Sequence, residues 1–181
     1  EQYNGFVGFK GKLASNIGYN FKATYKSEND KPFFKLNPSK TEGITVITKG
    51  YEAGNSFQIA YDNVETLSAF AEISIDFSKE LKVGGTVEFN TYSKDTIAEA
   101  WNLPELKATV FANYNRDKWF AGANLFFEGE RKDEFSLVVT NVLMDDEVLT
   151  LGNYVDLNLN GGYKFTDKLT AFAKVNNVFN S

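Results

Sequence analysis

The amino-acid sequence predicts an all-β fold, an antiparallel up-and-down sheet with one apolar and one polar face. Three observations support this prediction. Apolar and polar side chains alternate along most of the 181 residues, and tight and long connections alternate between the predicted strands. No apolar run approaches the roughly 18 residues that a membrane-spanning helix requires. Any membrane crossing would therefore use strands, which need only about 9–11 residues each.

The strands are recognised by their period of two, because successive side chains of a strand point to opposite faces of the sheet. The clearest segment is 17–26, where Ile17, Tyr19 and Phe21 alternate with polar or small residues. The same alternation predicts eight strands, at about residues 2–13, 17–27, 56–77, 81–92, 104–114, 119–131, 153–165 and 169–179.

Three places depart from regular alternation. Phe6 lies on the otherwise polar face of the first strand, and Phe120 and Phe126 lie on that of the sixth. Residues 62–65 interrupt the third strand, which predicts a β-bulge there. A short extra hairpin around residues 44–48 is compatible with the pattern of the preceding connection.

The connections follow a strict order of tight and long. The tight ones are 14–16, 78–80, 115–118 and 166–168, and the long ones are about 28–55, 93–103 and 132–152. In an up-and-down sheet this order predicts all tight turns at one end and all long loops at the other. That asymmetry is typical of outer-membrane barrels, which have short periplasmic turns and long extracellular loops.

Aromatic residues cluster beside the tight turns. Because amphipathic rings favour the level of the lipid headgroups, aromatic residues beside the tight turns predict a girdle at the periplasmic membrane interface. Its members are Tyr19, Phe77, Tyr114, Trp119, Tyr163 and Phe165. The candidates for the opposite girdle are Tyr3, Tyr25, Phe89 and Phe127.

Alternation by itself leaves a second fold open. A soluble sandwich or lipocalin-like barrel has the same period, with its apolar face turned towards a protein core. The unequal connections and the aromatic residues at the turns favour the transmembrane barrel. The apolar residues expected on the lipid face are Ile17, Phe21, Ile73, Val87, Val110, Leu125, Leu157 and Val175.

Composition excludes several classes of chemistry. The chain contains no Cys and no His, which excludes disulfides, Cys–His catalysis and imidazole acid–base chemistry within it. The formal net charge of −5 argues against binding to a nucleic-acid backbone. Since no pair of carboxylates forms a convincing catalytic arrangement, we expect no enzymatic activity, no cofactor and no resident metal.

The polar side chains are the candidate lining of a lumen. This set mixes both signs of charge, so two interpretations remain: a lumen that steers a solute or contacts a plug, and a balanced wall that keeps the interior hydrated. The residues are Lys22, Glu72, Glu88, Lys107, Asn124, Glu128, Asp156 and Asn158.

Three further features have open interpretations. Asp145, Asp146 and Glu147 suit a calcium site through their oxygen atoms but lack the spacing of a dedicated loop, so a solvated run of surface charge is favoured. Trp101 and Pro104 either face a ligand in the extracellular vestibule or, as we favour, Pro104 starts a strand and Trp101 packs on the rim. The aromatic residues on the polar face form a track for substrate, or they pack on a plug or on one another: Phe70, Phe111, Phe120, Phe126 and Phe172.

Several stretches resemble the C-terminal barrel region of TonB-dependent receptors and receptor-like porins of Bacteroidota. The most specific is Val175-Asn176-Asn177-Val178-Phe179-Asn180, which is similar to the penultimate strand of that family. Others are Ala98-Glu99-Ala100-Trp101-Asn102-Leu103-Pro104, Lys118-Trp119-Phe120-Ala121-Gly122-Ala123-Asn124-Leu125-Phe126-Phe127, Gly129-Glu130-Arg131-Lys132-Asp133, Tyr154-Val155-Asp156-Leu157-Asn158-Leu159 and Tyr163-Lys164-Phe165-Thr166-Asp167-Lys168-Leu169. The N-terminal half matches more loosely, through Ser15-Asn16-Ile17-Gly18-Tyr19-Asn20 and Lys31-Pro32-Phe33-Phe34.

The resemblance implies part of a larger, 22-stranded-type barrel in the cell outer membrane. Residues 1–181 then form a partial barrel domain without the plug domain and the final strand. We therefore expect the strands at 2–13 and 169–179 to pair with the remainder of the barrel or with another chain. The whole protein is expected to contact the lipid bilayer, and TonB and a surface lipoprotein are its candidate partners.

Three functional hypotheses follow. The leading one is nutrient uptake across the outer membrane by a TonB-dependent receptor-like barrel. The second is a plugless receptor-like barrel that serves as a structural or interaction subunit of an outer-membrane complex. The third is a soluble all-β binding module.

Overall fold

The computed structural model describes residues 1–36, 57–135, 138–139, 142–143 and 147–179. These residues contain twelve strands and no helix that is long and apolar enough to span a bilayer. The strands are β1 (Gln2–Ala14), β2 (Ile17–Leu36), β3 (Phe57–Asp76), β4 (Leu81–Lys94), β5 (Leu106–Arg116), β6 (Trp119–Glu128), β7 (Arg131–Phe135), β8 (Val138–Val139), β9 (Val142–Leu143), β10 (Glu147–Leu151), β11 (Tyr154–Thr166) and β12 (Leu169–Val175).

Eight of these strands form one antiparallel sheet in the order β1-β2-β3-β4-β5-β6-β11-β12. Each strand therefore pairs with its neighbours in the predicted series, and the all-β up-and-down fold is confirmed. β1 and β12 form the two edges, and no hydrogen-bond ladder joins them within the described residues. The sheet is open, as expected for part of a barrel.

The order of turns and loops follows from this topology. The connections β1–β2, β3–β4, β5–β6 and β11–β12 are tight and lie at one end of the sheet, which we call the turn end. Asp117 adopts a positive φ of 50° in the β5–β6 turn, a conformation that Asp tolerates better than most residues. The strand ends that lead into the longer connections lie at the opposite end of the sheet, which we call the loop end.

β2 is longer than the sequence predicts and contains the bulge. It continues to Leu36, and its pairing with β3 shifts between Glu28 and Lys31. Asp30 has a positive φ of 54° at this shift. The irregularity predicted at residues 62–65 of β3 lies at this shift, since Lys31 pairs with Asp62 and Glu28 pairs with Val64, which leaves Asn63 without a ladder partner on β2. The extra residue lies on the opposite strand, at an Asn-Asp dipeptide suited to a left-handed conformation.

Other strand boundaries also differ from the prediction. β5 begins at Leu106 rather than Pro104, and β12 ends at Val175 rather than 179. The long connection after β6 contains two hairpins, β7–β10 and β8–β9. The predicted hairpin at residues 44–48 lies outside the described residues, as do Asp145 and Asp146 of the proposed calcium site.

The two faces of the sheet differ in chemistry and in burial. The aliphatic residues predicted to share the apolar face lie together, and several are exposed, such as Val110 at 59% and Ile73 at 45%. Among the described residues, the buried hydrophobic core comprises Phe33, Val64, Ala100 and Trp101. Because the aliphatic set fills no closed core, the sheet lacks the arrangement that a soluble sandwich requires.

Candidate functional site: the polar face of the sheet

The register places the candidate polar residues on the same face. Lys22 lies opposite Phe70, which lies opposite Glu88. This row of cross-strand partners continues through Lys107 and Glu128 to Tyr154. The next row towards the turn end contains Glu72 and Asp156, and the one after it contains Asn124 and Asn158. All eight predicted residues therefore share one face, which we call the polar face.

Charges on the polar face alternate and are only partly paired. The Lys22 ammonium lies 5.6 Å from the centre of the Phe70 ring, a cation–π geometry. Glu88 accepts a hydrogen bond from the Asn90 amide at 3.0 Å. At the turn end, a groove of about 660 Å³ is lined by polar groups of both signs, among them Lys10, Lys12, Glu72, Asp76 and Lys82. The interspersed signs suit a hydrated wall better than a strongly steering field.

Two aromatic rings on the polar face cover glycines. A Cβ added to Gly84 would lie 2.5 Å from Cζ of Phe111, which is its cross-strand partner. Phe120 lies over Gly162 in the same way, and these two residues are also cross-strand partners. Each ring therefore fills the space of a missing side chain and shields backbone. This contact with glycine is neither a substrate track nor packing on a plug or on one another, which are the interpretations that the sequence leaves open.

Aromatic residues near the tight turns lie on the apolar face. The rings of Trp119 and Tyr163 are 4.7 Å apart, and those of Tyr163 and Phe165 are 4.9 Å apart. Phe77 and Trp119 are exposed at 75% and 62%. Their position in a membrane interface stays a prediction, and their grouping beside the turns agrees with it.

The connection between β4 and β5 folds onto the polar face. We call residues 95–105 the folded-in loop. Trp101, which the sequence suggested would pack on a rim, is only 5% exposed and packs with Phe33, Val64 and Ala100. Phe33 lies opposite Ala60, and Val64 lies opposite Glu28 and Lys94. Those positions belong to the polar face, so this small apolar core lies on the polar side of the sheet.

Asp62 fixes the start of the folded-in loop. Its carboxylate accepts hydrogen bonds from the backbone N–H groups of Asp95, Thr96 and Ile97 at 3.0, 2.9 and 3.1 Å. The Thr96 hydroxyl donates a fourth at 2.9 Å. Burial raises the pKa of Asp62, but the hydrogen bonds from Thr96 and Ile97 outweigh it and hold the pKa at about 2. The anchor is therefore a permanent anion at neutral pH.

Asn102 links the folded-in loop to two other strands. Its carboxamide donates to the carbonyl oxygen of Phe34 in β2 at 2.9 Å. Its backbone N–H donates to the carbonyl oxygen of Lys132 in β7 at 2.8 Å. Asn102 has a positive φ of 60°, which Asn adopts more readily than most residues. Lys35 of β2 and Glu134 of β7 form an ion pair beside this link.

A second local structure explains the Asn-Asn motif after β12. The chain turns at Asn177, where φ is 56°. The backbone N–H of Asn177 donates to the Asn158 carboxamide oxygen at 3.0 Å, and its own carboxamide donates to both oxygens of Asp156 at 3.2 Å. The N–H of Phe179 also donates to Asp156, at 3.4 Å. Asp156 and Asn158, predicted as lumen-facing residues, thus also hold the end of β12 against β11.

Within the described part of the chain, no group of three or more carboxylates is placed to hold an ion.

Comparisons with known proteins add fold information. No protein-family model and no curated protein matches the sequence. Among solved structures, the copper transporter OprC aligns with a TM-score of 0.63 at 14% identity, over 99% of this chain and 25% of its own. The pyoverdine outer-membrane receptor FpvA of Pseudomonas aeruginosa PAO1 aligns with a TM-score of 0.63 at 18% identity, over 99% and 26%. The outer-membrane transporter YddB of Escherichia coli aligns with a TM-score of 0.61 at 13% identity, over 99% and 29%.

The alignments cover nearly all of this chain but only about a quarter of each of these solved proteins. At such low identity they bear on the fold alone. The open eight-stranded sheet aligns with part of each of those barrels. The chain therefore has the fold of part of an outer-membrane receptor β-barrel.

Proposed function

We propose that the chain is part of a TonB-dependent receptor-like barrel that takes up a nutrient across the cell outer membrane. The observation that carries this proposal is the eight-stranded open sheet of a chain that aligns over 98–99% of its length with outer-membrane transporters and receptors. In this assignment the apolar face contacts lipid and the polar face lines the lumen. The narrower resemblance to Bacteroidota receptors rests on the sequence motifs alone.

The two edge strands support the proposal that further strands complete the barrel. β1 and β12 each pair on one side only in the described sheet, and unpaired backbone groups are not tolerated against hydrocarbon. We infer that each pairs with the remainder of the barrel or with another chain. A plug domain, TonB and a surface lipoprotein would then act through the whole protein. The comparisons also favour a transporter over an enzyme.

Uptake by the whole protein tests this proposal. Deletion of the complete gene should lower the import of one nutrient in a panel that includes copper and ferric siderophores, and complementation should restore it. Fractionation should recover the protein in the outer membrane. The proposed transport role would be contradicted if the protein were found in the soluble fraction, or if the deletion left the import of every nutrient in the panel unchanged.

One feature favours the second candidate, a structural subunit of an outer-membrane complex. An apolar groove of about 420 Å³ lies mainly on the apolar face, with Ala69 and Ala71 between Phe9 and Val87. Small residues flanked by large ones can receive a partner's side chains. If this candidate is correct, a second membrane protein should copurify, and Ala71→Trp should release it. The matched variant Val110→Trp, on the same face but outside the groove, should not.

A further inference from the structure

The folded-in loop reaches across several strands of the polar face. It leaves β4, is anchored by Asp62 on β3 and bonds to the backbone of Phe34 on β2. Since neighbouring strands are about 4.8 Å apart, the loop extends roughly 10 Å sideways from β4 before it returns to β5. A loop that pointed away from the sheet could not make these contacts.

β7 meets the same region from the other side. β7 follows β6, and four strand intervals separate β2 from β6 in the sheet. Even so, the carboxylate of Glu134 on β7 pairs with the ammonium group of Lys35 on β2. Asn102 of the folded-in loop also bonds to the backbone of Lys132 on β7. The folded-in loop and β7 thus form a bridge over the polar face, which we call the transverse bridge.

The transverse bridge is built as a fixed structure. Trp101 of the bridge is buried against Phe33 and Val64 of the sheet, and Tyr92 donates a hydrogen bond from its hydroxyl to the carbonyl oxygen of Pro104 at 3.2 Å. Lys94 and Glu99 add an ion pair at 3.5 Å. Displacing the loop would expose apolar side chains and leave the anchoring carboxylate without its four donors, both of which are costly.

We propose that the transverse bridge is a built-in constriction at the loop end of the lumen, and that it sets the largest solute that reaches the polar face below it. This inference rests on the proposed function, because it requires the polar face to line a lumen. The row that contains Glu88 and Lys107 lies below the bridge, towards the turn end. A solute entering from the loop end would therefore pass the bridge before it meets these charges.

Size-graded cysteine labelling tests the constriction. The chain has no Cys, so Lys107→Cys can be introduced into the complete protein, freed of any other accessible thiol, and expressed in intact cells. Maleimides of increasing size, from N-ethylmaleimide to polyethylene-glycol conjugates, are then added outside. The small reagent should label this site and the large ones should not.

Two changes should then admit the large reagents. Asp62→Ala removes the anchor, and replacement of residues 97–103 by a short Gly-Ser linker removes the obstruction even if Asp62→Ala alone leaves the loop in place. Labelling by the large reagents should rise at least several-fold with the linker variant. Asp76→Ala is the matched control, because it makes the same change on the same face at the turn end and should have no effect.

The outcomes separate this inference from the proposed function. If large reagents label Lys107→Cys freely in the otherwise unchanged protein, or stay excluded from the linker variant while the small one labels, there is no constriction. If even the small reagent fails to label Lys107→Cys in the linker variant but labels Ala108→Cys on the opposite face, the faces are wrongly assigned. The proposed lumen would then fail, and the constriction with it.

Discussion

Lys35 and Glu134 form an ion pair, with 2.5 Å between the Lys35 Nζ and Glu134 Oε2 atoms, although they belong to distant parts of the sheet. β2 carries Lys35, and β7, which carries Glu134, continues from a strand four positions away. Both side chains are largely shielded from water, at 19% and 8% exposure. The pair closes the transverse bridge over the polar face.

Breaking this pair from one side should destabilise the bridge. Glu134→Gln leaves the Lys35 ammonium poorly solvated and without its partner, which should cost no more than about 3 kcal/mol because Lys35 keeps some contact with water. The double variant Lys35→Met with Glu134→Gln should recover part of that cost. Hydrogen exchange of the β7 amides in detergent measures the local effect, and equal exchange in all three proteins would show that the pair contributes nothing.

The Asp62 anchor should depend on pH only in strong acid. Its folded-state pKa of about 2 lies below the ordinary value of 3.8, so its contribution to stability is complete above about pH 4 and is lost as the pH falls through about 2. Lys31 is its cross-strand partner on β2, and the backbone of Asp95 donates to its carboxylate. In a Trp119→Phe background, acrylamide quenching of Trp101 should rise only at the acid end.

Asp62→Asn is the control for that titration. The amide cannot supply a full anionic acceptor, so Trp101 should be more accessible to acrylamide at neutral pH and should lack the transition near pH 2. Release of Trp101 at about pH 5 in the unchanged protein would mean that another carboxylate, and not Asp62, controls the loop.

The turn after β12 should depend on Asp156. Asp156→Ala removes the acceptor for the Asn177 carboxamide and the Phe179 N–H, so the amides of Val178 and Phe179 should exchange markedly faster. Each lost hydrogen bond to a charged group corresponds to about 1.5–3 kcal/mol at most. Asp167→Ala in the exposed β11–β12 turn should leave that exchange unchanged. Unchanged exchange in Asp156→Ala would refute the role of the carboxylate.

The strands were predictable, but the contacts across the polar face were not. Alternation around Ile17 or Val110 depends on near neighbours, so the sequence predicted those strands and the face that each residue shares. Trp101 gave no such signal, because its burial depends on Phe33 and Val64 of distant strands. One signal was available: Val64 is an apolar residue at a position that alternation assigns to the polar face. The irregular alternation at residues 62–65 predicts a bulge, and the ladder is irregular there, but the sequence gives no sign that Asp62 also anchors a loop.

The glycine–aromatic pairs give a packing prediction. Gly84→Ala would place a Cβ 2.5 Å from Phe111 and 2.6 Å from the backbone oxygen of Ile73. The Phe111 ring can move but the backbone cannot do so cheaply, so we expect a loss of about 1–3 kcal/mol. Gly5→Ala, which meets nothing within 4 Å, should be close to neutral. Urea denaturation of the complete protein in detergent compares the two, and equal midpoints would contradict the packing argument.

The assignment of the two faces can be tested with adjacent arginines. Val110 lies on the apolar face and is 59% exposed in the described sheet, whereas Thr109 lies opposite Thr86 on the polar face. If the apolar face meets lipid, Val110→Arg should cost about 2–4 kcal/mol near the bilayer midplane. Thr109→Arg should cost much less, because its guanidinium would enter a hydrated lumen. Urea titrations in lipid vesicles measure both, and a larger cost for Thr109→Arg would require the lipid-facing and lumen-facing sides to be exchanged.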